Sequence, residues 1–395
     1  MSSPSDSFGL TVLLGLMIAL TSIAVDSALP AMPEFARALD GDAAASQFTL
    51  TALFAGIAAG QLLWGPISDR HGRKPALIAG LALALVSAAS CAAAPNLAML
   101  AVSRFVQGIA VSVGPVLSRT VARDLYTHEH AARLLARVMV VFSVAPIAAP
   151  LIGGELLALF GWRAVFVFHA AVAAALLVAA SSGLKETAPA GREPLPWAHI
   201  ASQFGALLGY RRFLAPYLVL LAGQMGIMAW IVNSPFALVR GLGVTPRGYA
   251  LLFALVMLGQ VFGAYASARL VMGRGIPAML RLGTRLAFTA GAALLALDLA
   301  GVRHWSAVVG PMILYLFASS FIVPHATAAA LSPYAQRAGT ASSLMGAIQF
   351  TCGAALGALL GALFEGSARP MIIAVACAGL ATLLFERTLL SKPGR

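Results

Sequence analysis

Two charged side chains interrupt otherwise apolar stretches of the sequence, the acid Asp26 and the base Arg104. A carboxyl group on which burial and a nearby cation act in opposite directions can take up and release a proton near neutral pH. Arginine cannot shed its proton, so Arg104 needs an acceptor, and Asp26 or Gln107, one helical turn further on, could supply one. The pair therefore predicts reversible proton binding, unless Asp26 is a hydrogen-bonded acid at a helix end and Arg104 a tether between helices.

The densest group of charges is GPISDRHGRK, residues 65–74. It combines two glycines, an acid and three bases: Gly65, Asp69, Arg70, Gly72, Arg73 and Lys74. We expect Gly65 to let two helices approach closely and Arg73 to make a charge-assisted contact with Asp124. Such bonds would keep one face of a helical bundle closed, and the face would open when they break. The alternative interpretation, which three bases alone would favour, is an ordinary basic loop.

Weaker signals lie in other stretches. Residues that weaken a helix and permit close packing occur together at Pro150, Gly153 and Gly154. Glu155 follows directly, and it is interpreted either as a second proton site or as an acid exposed to solvent. His169 and His325 could titrate, although a lone histidine in a bundle is more often a hydrogen-bonded structural residue. A cavity lining is predicted from polar and aromatic residues: Phe54, Gln224, Met225, Trp230, Asn233 and His325.

Composition determines which elements must position these residues. The chain of 395 residues is 60% hydrophobic and 10% charged, with a mean hydropathy of +0.89. So few charges cannot cover a water-facing surface, and the alternating short strands of a barrel are missing, so we expect an all-α membrane protein. A span needs about 20 apolar residues. Breaks containing Gly, Pro or charge predict twelve transmembrane helices, at 8–29, 46–67, 75–94, 97–119, 134–159, 162–184, 213–238, 248–268, 277–298, 304–330, 338–364 and 368–387.

The connection at 185–212 is longer and more polar than the others. It predicts an N-terminal six-helix bundle at 1–184, a cytoplasmic linker at 185–212 and a C-terminal six-helix bundle at 213–395. GQLLWGPISDRHGRKPAL, beginning at Gly60, is similar to GQVFGAYASARLVMGRGIPAML, beginning at Gly259, which indicates a duplicated unit. In the second copy Ala268 stands in place of Asp69.

The charge distribution sets the orientation. If the N-terminus is cytoplasmic, most of the 26 Lys and Arg residues lie on the inner side, so both termini are expected there. The net charge of +12 is explained by this bias, and no nucleic-acid partner is expected. The first apolar run lacks a basic leading segment and is expected to remain as a helix. Three isolated cysteines and the lack of clustered ligands predict no disulfide, metal or cofactor.

The motif at 65–74 resembles the major facilitator superfamily signature G-x-x-x-D-R-x-G-R-[RK], which lies between helices two and three in that family. More narrowly, three segments resemble the drug:proton antiporters of the Bcr/CflA type, exporters of bicyclomycin and chloramphenicol-like drugs: VDSALPAMP (25–33), SRFVQGIAVSVGPV (103–116) and APIAAPLIGGELLALFGWRAVF (145–166). In helix five the chain departs from the antiporter signature G-x-x-x-G-P-x-x-G-G, because Ala145 and Ala149 replace two glycines.

This resemblance implies the major facilitator fold of two six-helix pseudo-repeats. It implies a proton-coupled multidrug efflux transporter of a bacterial inner membrane, which works by alternating access as a single chain. Asp26 and the pattern Arg104, Gln107 and Gly108 would handle protons, and the substrate would be a small amphipathic compound of the phenicol or bicyclomycin type. The alternative is a proton-linked transporter of an amino acid or sugar-type metabolite. A membrane enzyme fits less well, because the sequence offers no catalytic constellation.

Overall fold

The computed structural model describes residues 8–126, 128–188, 197–363 and 367–390, and the regular elements in these ranges are all helical. The first eight α-helices are α1 Phe8–Asp26, α2 Met32–Ala38, α3 Ala43–His71, α4 Arg73–Ala92, α5 Leu97–Val111, α6 Val113–Leu125, α7 His128–Phe160 and α8 Trp162–Gly183. A 3₁₀ turn at Leu29–Ala31 joins α1 to α2. Side-chain caps begin two of the helices, since the carboxylate of Asp42 accepts from the Ala45 N–H and the amide of Asn96 accepts from the Met99 N–H.

The remaining helices are α9 Trp197–Gly209, α10 Arg211–Pro235, α11 Pro246–Leu299, α12 Trp305–Leu331, α13 Ala338–Ala362 and α14 Arg369–Phe385. Wider π turns extend α10 over Phe236–Gly241 and α14 over Glu386–Leu390. Helix α9 lies inside the predicted linker, where the sequence analysis expected no helix.

Eleven helical segments in the described ranges are long and apolar enough to cross a membrane. One of them, α11, has 54 residues and contains Gly275 in a non-helical conformation (φ 74°, ψ 166°). This residue lies between the predicted eighth and ninth spans, so α11 comprises two spans and the total is twelve. The predicted all-α membrane architecture is therefore confirmed.

The helices pack into two compact units. The first comprises the chain up to Ile200 together with Gly346–Thr351, and the second comprises Ala201–Met345 and the chain from Cys352 onward. Within the first unit α3 packs on α5, α4 on α8 and α1 on α7. Within the second, α11 packs on α12 and α14, and α10 packs on α14. The predicted boundaries at 184 and 213 stay a prediction.

Two pairs of glycines support the internal repeat. A Cβ atom at Gly60 would lie 2.7 Å from the carbonyl oxygen of Ile109, and one at Gly259 would lie 2.5 Å from that of Ile313. Each glycine thus lets its helix approach a neighbouring backbone within its own unit. Gly72 (φ 96°, ψ 160°) breaks the chain between α3 and α4 much as Gly275 does in α11. Both conformations lie in the region that glycine alone adopts readily.

Candidate functional site

Asp26 is the last residue of α1 and is 6% exposed. Its carboxylate accepts a hydrogen bond from the hydroxyl of Ser22, one turn earlier in the same helix. Since α1 packs against α5, α6, α7 and α8, this acid lies inside the first unit rather than on its outer surface. The placement agrees with the expectation that an acid in an apolar span faces protein.

Arg104 on α5 is 1% exposed and donates from Nη1 to the carbonyl oxygen of Ala24 and to Oε1 of Gln107, each at 2.8 Å. The Gln107 contact matches one of the two predicted acceptors. The other prediction is wrong, because no ion pair joins Arg104 to Asp26, although the structure describes both residues. The reason is local, since Ala24 lies in the last turn of α1, where carbonyl groups have no donor within the helix and remain open to the guanidinium.

A second buried side chain, His169 on α8, lies beside this arginine site. Its Nδ1 is 3.3 Å from Nε2 of Gln107 and its Nε2 is 2.6 Å from Oγ of Ser27, the residue after Asp26. Ser27 donates in turn to the carbonyl oxygen of Ile23 at 2.7 Å. The structure therefore joins His169 to Gln107 and Arg104, a connection that the sequence analysis missed because α5 and α8 are distant in sequence.

Helix α7 reaches the same region through Gly153. A Cβ atom at Gly153 would lie 1.9 Å from the carbonyl oxygen of Ser27, so only glycine allows this approach. Pro150 and Gly154 are buried on the same helix, whereas Glu155 is exposed. The predicted packing role of Gly153 thus acquires a definite partner, the backbone next to Asp26.

The motif at 65–74 forms a separate group of charges. Arg73, the first residue of α4, is 1% exposed and donates from Nη1 to Asp69 at 2.6 Å and from Nε to Asp124 at 2.9 Å. Nη1 also donates to the hydroxyl of Ser68 at 2.9 Å. The predicted contact between Arg73 and Asp124 is present, and it ties α4 to the end of α6. Arg70 points away and is exposed.

Glu186, beyond the end of α8, is an acid that the sequence analysis missed. Its carboxylate accepts from the backbone N–H groups of Arg73 at 2.9 Å and Lys74 at 3.1 Å, at the beginning of α4. Partial burial acts to raise the pKa of Glu186, but hydrogen bonds from four backbone N–H groups outweigh it and lower the pKa below its usual value. The Nζ of Lys74 donates to the carbonyl oxygen of Ser181 at 2.8 Å, so the end of α8 is bound to the start of α4 at two points.

The two glycines of the motif differ in their surroundings. A Cβ atom at Gly72 would lie 2.6 Å from Oε2 of Glu186. At Gly65, by contrast, no described atom other than those of its chain neighbours and its own helix backbone lies within 4 Å of the Cβ position. The predicted close approach of two helices at Gly65 is therefore not observed, because this glycine lies on an open part of α3.

The second unit holds most of the predicted cavity lining. Trp230 and Asn233 on α10 are fully buried, and within the described part of the chain the indole N–H and both amide atoms have no hydrogen-bond partner. Trp230 stacks on Phe253 with ring centroids 6.0 Å apart. Gln224 and Met225 are half-buried on the same helix. Nδ1 of His325 contacts the Phe321 carbonyl oxygen within α12 at 2.9 Å.

Phe54 is buried in α3 of the first unit. That these six residues line one cavity stays a prediction.

The sequence profile of the Major Facilitator Superfamily matches residues 14–362. The chain belongs to this family. Its members are transporters, so the protein is a multi-pass membrane transporter of small molecules and not an enzyme. The predicted family and fold are confirmed.

Several relatives span nearly the same length as this chain. It is 30% identical to the "Uncharacterized MFS-type transporter YdgK" of Bacillus subtilis, over 93% of this chain and 91% of the relative. It is 29% identical to the "Bicyclomycin resistance protein homolog" of Haemophilus influenzae, over 98% and 97%. It is 28% identical to "Multidrug resistance protein D" of Escherichia coli, over 86% and 85%.

Among solved structures, a POT family transporter in complex with a thioalcohol-conjugated peptide superimposes with a TM-score of 0.77. The alignment covers 97% of this chain and 95% of that one at 14% sequence identity. At this identity the likeness concerns the fold alone.

Proposed function

We propose that this transporter exports small amphipathic, drug-like compounds from the cell in exchange for protons. The observation that supports the proposal most is the position of Asp26, buried at the end of α1 with a hydroxyl rather than a cation as its partner in the described structure. A carboxyl group in such a place changes its proton affinity when the protein opens it to water or closes it again. Protonation is thereby linked to the equilibrium between the states that face either side of the membrane.

The neighbourhood of Asp26 is suited to this linkage. The carbonyl of Ala24 binds Arg104, the hydroxyl of Ser27 binds His169, and the carbonyl of Ser27 packs on Gly153. Movement of α1, α5, α7 or α8 therefore alters the surroundings of the carboxyl group. In this mechanism a proton on Asp26 and the amphipathic drug compete for one site.

The relatives support the proposed substrate class. The bicyclomycin resistance protein homolog and multidrug resistance protein D align with 98% and 86% of this chain. A "Chloramphenicol resistance protein" of Pseudomonas aeruginosa is 29% identical over 94% of this chain and 88% of the relative. We infer a substrate of the phenicol or bicyclomycin type.

The protein would act as a single chain in the bacterial inner membrane with both termini in the cytoplasm. The distribution of Lys and Arg along the sequence supports this orientation.

A proton-linked metabolite transporter is the second candidate. It is favoured by the buried polar atoms of Asn233 and Trp230 in the second unit, which have no partner among the described residues. Buried polar groups without partners are costly, and a polar substrate would satisfy them. Susceptibility of a pump-deficient host to phenicols, bicyclomycin and lipophilic cations separates the two candidates, because only an exporter of drugs raises resistance.

Drug uptake into everted membrane vesicles tests the coupling. We expect Asp26→Asn to abolish accumulation driven by a pH gradient, because the amide cannot exchange a proton. Asp40→Asn is the matched control, since Asp40 is an exposed acid after α2. We expect this variant to keep its transport. Full gradient-driven transport by Asp26→Asn, at equal protein level, would refute the proposed role.

A further inference from the structure

Four buried polar side chains form one continuous hydrogen-bonded chain in the first unit, from Arg104 through Gln107 and His169 to Ser27. We propose that His169 is a positioning residue for Arg104, because it holds the Gln107 amide in the one orientation that presents an oxygen to the guanidinium. The inference rests on the proposed function, in which Arg104 takes part in proton coupling.

The direction of each hydrogen bond follows from chemistry. A guanidinium group has only donors, so Gln107 must turn Oε1 toward Arg104. The amide nitrogen of Gln107 then faces Nδ1 of His169, which has to accept. The imidazole proton must therefore be on Nε2, where it is donated to Oγ of Ser27, and the Ser27 hydroxyl donates onward to the carbonyl of Ile23. His169 is thus neutral and fixed in its Nε2–H form.

The opposite arrangement cannot coexist with Arg104 in its observed place. A proton on Nδ1 of His169 would face the amide hydrogens of Gln107, so the amide would turn over. Its nitrogen would then lie against Nη1 of Arg104, where the present distance to Oε1 is 2.8 Å, and two donors would meet. The guanidinium would keep one acceptor, the carbonyl of Ala24.

Arg104 depends on this amide to an unusual degree. Its Nε has no hydrogen-bond partner in the described structure, and it makes no ion pair there. The other neighbours are apolar or weakly polar: the guanidinium lies 5.6 Å from the Phe166 ring, and Cys91 is 4.0 Å from Oε1 of Gln107. If Arg104 loses its hydrogen bond to Gln107, it can therefore form an ion pair with Asp26, the acid on α1.

Two substitutions at His169 separate its two hydrogen bonds. Asparagine places an amide near the position of Nδ1 and can still accept from Gln107, whereas glutamine reaches the position of Nε2 and contacts Ser27 instead. We expect His169→Asn to transport near the wild-type rate. We expect His169→Gln to lower the proton-driven rate about tenfold, the effect of losing one charge-assisted hydrogen bond, while the dissociation constant for the drug is unchanged.

Equal rates for the two variants, whether both high or both low, would overturn the proposal. Combining His169→Gln with Gln107→Leu adds a further check. Because His169 acts through Gln107, the double variant should be no slower than Gln107→Leu alone, and an additional loss would point to a separate structural role.

A spectroscopic measurement tests the hydrogen-bond chain without relying on transport. The imidazole ¹⁵N NMR signals are recorded on histidine-labelled full-length protein at pH 7.5, and the signal that disappears in His169→Asn belongs to His169. We expect it to show a protonated Nε2 and an unprotonated Nδ1 that accepts a hydrogen bond. A proton on Nδ1 would overturn the inference. Wild-type protein that shows this signal but no drug-dependent proton exchange would instead refute the proposed function and leave the hydrogen-bond chain intact.

Discussion

Two arginines of the first unit, Arg73 and Arg104, are equally buried but have different partners. Arg73 is held by the carboxylates of Asp69 and Asp124 and by a hydroxyl. Arg104 is held by a backbone carbonyl and a neutral amide. One cation is fully neutralised by neighbouring acids, whereas the other has no acid in contact within the described chain.

We propose that this difference separates a structural contact at Arg73 from a functional one at Arg104. Removing one member of a buried ion pair leaves an uncompensated charge. Separating Arg73 from only one of its partners is therefore costly, and the start of α4 is expected to stay in place. A buried guanidinium with neutral acceptors is already costly and gains free energy from any carboxylate that approaches it. The comparison is therefore consistent with rigidity at the start of α4 and with the proton exchange that we propose for the region around Asp26.

The largest effect on stability is expected for Arg73→Ala. The substitution leaves Asp124 and Asp69 without their cation, and the Asp124 side chain is only 11% exposed. We expect a loss of about 3–5 kcal/mol, the usual cost of breaking a buried pair, visible as a lowered thermal-unfolding midpoint in detergent. An unchanged midpoint would show that the charges around Arg73 are solvated and that the comparison is invalid.

The next effect concerns the two glycines of the same motif. Gly72→Ala forces a side chain into a left-handed backbone conformation and against Glu186, at a cost of about 1–3 kcal/mol. Gly65→Ala is the matched control, because its site is open within the described structure and alanine favours the helix by about 0.5–1 kcal/mol. The same thermal measurement should shift in opposite directions for the two variants, and a parallel shift would contradict this assignment.

A smaller effect is expected for Glu186→Gln. Glutamine can cap only one of the two N–H groups and has no charge to interact with the start of α4, so about 0.5–1 kcal/mol is lost. Because folding lowers the pKa of Glu186, its contribution is complete above the pKa of an unfolded glutamate, about 4.3, and is lost as the pH falls further. The difference in unfolding midpoint between wild type and Glu186→Gln should therefore narrow as the pH falls below about 4.3.

Glu34→Gln provides the control for this pH series. Glu34 pairs with Arg37 on the surface of α2 and should change the midpoint little at any pH. A difference in unfolding midpoint between wild type and Glu186→Gln that stays constant as the pH falls well below about 4.3 would contradict the cap.

The smallest effect on stability, together with a large effect on transport, is expected for Arg104→Met. Methionine fills a similar volume and removes a desolvated charge, so the midpoint should move by the equivalent of about 1 kcal/mol or less. Proton-driven drug transport should nevertheless fall at least about tenfold, because the variant has no guanidinium that could move from Gln107 to Asp26. A strongly destabilised Arg104→Met variant would show that Arg104 contributes to stability as Arg73 does, and the comparison would lose its basis.

The architecture could be predicted because hydropathy and chain breaks determine it. The twelve spans required only the length of apolar runs, and the break at Gly275 agrees with the gap between the predicted spans 248–268 and 277–298. Helix α9 was not predicted, because its short, mixed sequence beside several prolines resembles a linker. Local composition cannot show whether such a segment folds.

The candidate site was predicted less completely. The contact between Arg73 and Asp124 could be anticipated, because two opposite charges stood at the ends of spans expected to be neighbours. Of the two acceptors proposed for Arg104, Gln107 is observed and Asp26 is not, since the sequence does not show that the end of α1 leaves the Ala24 carbonyl free. Ser27 and Glu186 were missed because small or exposed polar residues carry no signal until distant helices are brought together.

The bond between Glu186 and the start of α4 affects how the polypeptide can be divided into two co-expressed fragments. A cut directly after α8, at Gly183, would assign this carboxylate to the second piece and leave the first two N–H groups of α4 uncapped. A first fragment that runs to Ala188 keeps its own cap. A first fragment that retains this cap must therefore extend several residues beyond the last turn of α8.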